Sequence, residues 1–70
     1  MNKITHWHLA DAVRAATTQA ASDLIDRIVY QPKDSQMYAI CTAAGWDAEK
    51  ERGGAYARSA LALHAFHPCL

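Results

Sequence analysis

Cysteine, proline and glycine are scarce in this chain, and neither sign of charge is in excess. Two cysteines, Cys41 and Cys69, with no CxxC spacing exclude a disulfide framework and read as reduced thiols. Two prolines and three glycines in 70 residues leave no Pro- or Gly-rich linker, and there is no repeat. No apolar run approaches the ~18 residues of a membrane span, and the N-terminal segment has no continuous apolar stretch of the signal-peptide kind. A cytoplasmic location is therefore expected. Lys+Arg and Asp+Glu are 7 each, so there is no net positive charge to drive counterion release from nucleic acid. Nucleotide-binding glycine loops, nucleophile elbows and HExxH motifs are all missing. Glu49 and Glu51 lie in a charged run, DAEKER, that reads as a solvated face, so no catalytic site is expected.

Alanine is abundant instead: 15 residues, against 19 Leu, Ile, Val, Met, Phe, Trp and Tyr together. That is enough for one small domain, residues 1–70, but not for a thick core. A core of this size rarely supplies more than about 3–5 kcal/mol, and a buried methyl group contributes far less than a leucine side chain. Stability is expected to come in part from a partner, a metal or a second copy of the chain.

The spacing predicts an all-α fold, a helical hairpin or three-helix bundle that dimerises. Leu9, Val13, Ala16, Ala20, Leu24 and Ile28 recur at helical steps, which predicts a first helix from Thr5, as N-cap, to Tyr30. Asp23 and Arg27 then form an i,i+4 pair on it. Pro32 ends that helix. Asp34 or Ser35 caps a second one to Ala44, with Gly45 beyond its end. Asp47 caps a third, from Ala48 towards Phe66, interrupted at Gly53-Gly54 and followed by Pro68.

Three constellations could carry function. His6 and His8 near one end, with His64, His67 and Cys69 near the other, form a ligand set for zinc if the ends meet. The stretch AICTAAGWDAEKERGGAYARSA also reads as helix–turn–helix, with Lys50, Arg52 and Arg58 offered to DNA. Glu49 and Glu51 on the same helix would repel phosphate. The third constellation is aromatic. Trp and Tyr anchor interfaces, and Trp7, Tyr38 and Tyr56, with Arg52 and Arg58, are the candidate partner-binding residues. The simpler role for these rings, and for Trp46, is to supply the bulk that alanine cannot.

Glu51-Arg52-Gly53-Gly54-Ala55-Tyr56-Ala57-Arg58-Ser59-Ala60, preceded by Ala48, is similar to the ER-x-G-x-Y-x-x-A-A core of the ANR family, although Leu63 stands where that family has an aromatic residue. ANR proteins are small helical regulators from bacteria and mobile elements that act by binding other proteins. The resemblance implies a small docking regulator. The expectation is a non-enzymatic regulatory or inhibitory protein that docks on a larger protein, of the kind phages and plasmids direct against a host transcription factor or defence complex. The alternative is a helix–turn–helix DNA-binding regulator.

Overall fold

Beyond the first third of the molecule, most alanines lie in strands and turns despite their readiness to form helix. A computed structural model describes residues 5–62. It places β1 at Thr5–His6, α1 at Leu9–Asp23, β2 at Arg27–Gln31, β3 at Tyr38–Thr42, α2 at Trp46–Glu51 and β4 at Ala55–Ala60. The strands form one four-stranded antiparallel sheet in the order β1-β3-β2-β4. The fold is therefore mixed α/β, and the all-α expectation is corrected. Among the described residues, no helix is long and apolar enough to cross a membrane.

Each predicted helix departs from expectation for a local reason. The first begins at Leu9, not Thr5, because Thr5 and His6 pair with Ala39 and Tyr38. It stops at Asp23 because Leu24 turns left-handed, with φ 60°, and its N–H bonds back to the Ala20 carbonyl at 2.8 Å. Asp23 Oδ1 then accepts the Ile25 N–H at 3.0 Å, which redirects the chain. The segment Arg-Ile-Val-Tyr-Gln is rich in β-branched and aromatic residues and forms β2. The predicted second helix is instead a turn and β3. The Ser35 N–H bonds to the Pro32 carbonyl at 3.1 Å, Asp34 sits at φ 61°, and Tyr38–Thr42 pairs with β2. The third helix lasts six residues before Gly53, at φ 96°, breaks it and the chain returns as β4. Phe66 and Pro68, at its predicted far end, lie outside the described residues.

The topology consists of two interlocked crossovers. β1 and β2 run parallel with β3 between them, joined by α1. β3 and β4 run parallel with β2 between them, joined by α2. Both connections step the same way across the sheet, but from strands of opposite direction. Two right-handed crossovers of this kind must place their helices on opposite faces. The side chains agree: Val29 packs with α1, while the next residue, Tyr30, meets Trp46 of α2.

On the α1 side, Ala12, Ala16 and Ala20, spaced by four, are fully buried, and Ala12 and Ala16 pack against the sheet. Val29 and Ala60 complete the centre, with Leu9, Val13, Tyr38, Ile40 and Ala57 packed around it. Small side chains let the helix approach closely but bury little apolar area. Among the described residues, Tyr30 and Val29 are the largest side chains that are fully buried.

The Asp23–Arg27 pair forms, but it joins the end of α1 to the first residue of β2, not two turns of one helix. Arg27 Nη1 donates to Asp23 Oδ1 at 3.1 Å and Nη2 to Oδ2. The Arg27 hydrogen bonds hold the Asp23 carboxyl below its usual 3.8, helped by the bond from the Ile25 N–H. A depressed carboxyl pKa stabilises the fold above the unfolded value and ceases to do so as pH falls through the folded value. Thermal melts of the parent should thus fall as pH drops below 3.8, and Asp23→Asn should flatten that part of the profile. The Asp23 carboxylate is solvent-exposed, so the difference will be small.

Candidate functional site

After β3 the chain makes a tight turn in which the Gly45 N–H bonds to the Thr42 carbonyl at 3.0 Å and to Thr42 Oγ1 at 3.1 Å. That turn starts α2 and directs Trp46 onto the sheet. The indole meets Tyr30 at 5.6 Å between ring centres, tilted by 58°, and Tyr56 of β4 at 6.0 Å and 63°. Both are favourable tilted or edge-on geometries. The stack runs from the interior to the surface: Tyr30 is 1% exposed and Tyr56 57%. Tyr56 Oη lies 2.8 Å from Ser59 Oγ, which holds the exposed ring along its own strand.

A cleft of about 270 Å³ opens at the other end of α2, lined by Tyr30, Pro32, Lys33, Glu49, Arg52 and Gly54. The Gly54 N–H bonds to the Glu49 carbonyl at 2.9 Å, so the return into β4 folds tightly under the helix end. Arg52 Nη1 reaches both Glu49 carboxylate oxygens, at 3.2 and 3.3 Å, while remaining largely in solvent. Trp46 and Tyr56 thus present an aromatic surface near the start of α2, and Arg52, paired with Glu49, stands at the helix's other end.

No protein family, curated protein or solved structure matches this chain. What the surface can do must therefore be read from its own residues.

The candidate partner-binding residues are spread over the molecule. Arg52 and Tyr56 share the α2 side. Arg58 lies opposite Val29 on β4, which turns it to the α1 side. Tyr38 is half-buried against the α1 core and serves as packing bulk there. Trp7 is 67% exposed, but it follows β1, at the far edge of the sheet from β4. Trp46 joins the site although its spacing of ten residues from Tyr56 gives no periodic signal; only the return of β4 beside β2 brings them together.

The helix–turn–helix is not formed, because the segment that should supply its first helix is β3. Lys50 lies in the last turn of α2, Arg52 caps that helix, and Arg58 is on β4, so the three do not line one recognition helix. The stretch that resembles the ANR core divides into α2, a turn and β4. Of the zinc ligand set, His6 is in β1, and His8 caps α1 without a side-chain hydrogen bond. His64, His67 and Cys69 lie outside the described residues. Among the described residues, no three His, Cys, Asp or Glu side chains gather in a way that could hold a metal ion.

Proposed function

We propose that this chain is a non-enzymatic regulatory or inhibitory protein that docks on a larger protein through the α2 side of its sheet. The exposed half of the Trp46–Tyr56 pair is the observation that carries this reading. A domain with so little bulk to spare leaves a tyrosine ring 57% exposed, held in a fixed position by an indole beneath it and a serine beside it. A preorganised aromatic of this kind has the character of an interface anchor and loses little side-chain entropy on binding. Balanced charge favours an apolar and hydrogen-bonded contact over one driven by phosphate.

Affinity capture from host lysate, with and without nuclease, tests the proposal when the parent and Tyr56→Ala are run in parallel. The expected result is one stoichiometric protein that survives nuclease and is lost, or reduced at least roughly tenfold, with Tyr56→Ala. Circular dichroism should show that variant still folded. Recovery of DNA, or of proteins released by nuclease, would replace protein docking with nucleic-acid binding.

A further inference from the structure

β4 is an edge strand whose pattern of sides is its own mirror, and we infer that two copies of the chain join through it into a continuous eight-stranded sheet. This inference does not depend on the docking surface. Among the described residues β4 pairs only with β2, so its other margin carries unpaired backbone donors and acceptors. Among the described residues, the opposite edge, β1, is two residues long. β4 has six residues and contains no proline, lysine or acidic residue.

The side pattern follows from the register. Residues directly opposite one another in an antiparallel pair share a side. Arg27, Val29 and Gln31 alternate onto the α1 side, so Ala60, Arg58 and Ala55 lie there; Ile28 and Tyr30 place Ser59 and Tyr56 on the α2 side. The pairing shifts between Val29 and Tyr30, and the extra residue, Ala57, packs on the α1 core. From Ala55 to Ala60 the sides therefore run α1, α2, α1, α1, α2, α1. Without the bulge the strand would simply alternate. With it, the order is the same in both directions about the Ala57–Arg58 bond.

An antiparallel second copy centred on that bond matches all six residues by side. Ala55 meets Ala60 of the second copy, Tyr56 meets Ser59, and Ala57 meets Arg58. A shift of one residue either way would set Tyr56 against a residue of the α1 side. Arg58, the one charge on β4, falls opposite Ala57 of the second copy, with the second Arg58 diagonally beside it on the α1 side; both are exposed and can extend into solvent, and a chain with 7 charges of each sign meets its copy without net repulsion. The two-fold axis stands perpendicular to the sheet, so both Trp46–Tyr56 surfaces emerge on one side of the dimer.

Sedimentation of the full chain across micromolar to millimolar concentration tests this, with Ser59→Lys as the variant. Ser59 is exposed, and a lysine there sits at both symmetric Tyr56–Ser59 pairs while barring strand addition. The expected result is a concentration-dependent species of twice the 7.7 kDa chain mass. Ser59→Lys should weaken it at least roughly tenfold with an unchanged circular dichroism spectrum. A monomer throughout the range, or a dimer that Ser59→Lys leaves intact, overturns the inference. Should the variant fail to fold, amide exchange of the parent decides. β4 amides protected at high concentration and released on dilution support strand pairing, and exchange independent of concentration overturns it.

Discussion

Gly54→Ala is expected to lower the unfolding free energy by about 2–3 kcal/mol, the upper part of the range of about 1–3 kcal/mol for forcing a methyl group into a filled site. A Cβ at Gly54 would stand 2.8 Å from the Glu49 carbonyl oxygen and 3.0 Å from Tyr30 Cδ2. Neither neighbour can move cheaply. The Glu49 carbonyl accepts the Gly54 N–H and closes the end of α2, and Tyr30 is fully buried under Trp46. For a domain with about 3–5 kcal/mol in hand, such a loss removes most of the margin. Gly53 provides the internal comparison. Its φ of 96° disfavours any side chain, and a Cβ there stands 3.0 Å from Lys33 Cβ and Cδ; Lys33 lies in an exposed turn, which gives more readily than the buried Tyr30 ring and the α2 backbone. Gly53→Ala should therefore cost about 1 kcal/mol, chiefly in backbone strain. Urea unfolding of the two variants beside the parent checks the order. A Gly53 variant less stable than the Gly54 variant would show that backbone conformation, not the close approach of β4 to α2 and Tyr30, controls this turn.

The same pair of glycines shows what the sequence could and could not disclose. Their disruption of a helix was legible, because two adjacent glycines weaken any helical run. That the chain then returns as a strand was not, because Ala-Tyr-Ala-Arg-Ser-Ala carries three alanines, which fit a helix better than a strand, and little β-branched content. The buried stripe of α1 was legible for the opposite reason: Ala12, Ala16 and Ala20 repeat at helical spacing and pack on one surface. Leu24 continued that spacing and misled, since it is 64% exposed and ends the helix with no glycine or asparagine to signal the left-handed turn. β2 fits a helical stripe in isolation; its identity as a strand comes from pairing with residues 9 to 33 positions away, which no local period records. The aromatic site was obscured likewise. Tyr30, Trp46 and Tyr56 come from three elements, and their meeting depends on α2 crossing the sheet.

Tyr30→Ala should then be the most damaging substitution that leaves the backbone unconstrained. Truncating a large buried aromatic costs about 3–5 kcal/mol, which equals the entire stability expected of the domain. Tyr30 is 1% exposed, and its ring supports Trp46 from below and lines the cleft beside Gly54. The variant should lack a cooperative thermal transition at 25 °C and above, and its Trp46 emission should shift towards that of a solvated indole. Tyr56→Ala removes a ring from the same stack at the outer end, where more than half of it already faces water. Its cost should be about 1 kcal/mol, close to the worth of an aromatic pair beyond its area, with a cooperative transition retained. Thermal unfolding followed by far-ultraviolet circular dichroism and by tryptophan fluorescence separates the two. A Tyr30 variant that unfolds within about 1 kcal/mol of the parent would mean that α2 and Trp46 are held by something other than the buried ring. The contrast between the two tyrosines also decides how binding data on this surface are read: a lost interaction after Tyr56→Ala reports on the interface only if the fold survives, and the exposure gradient along the stack is the reason it should.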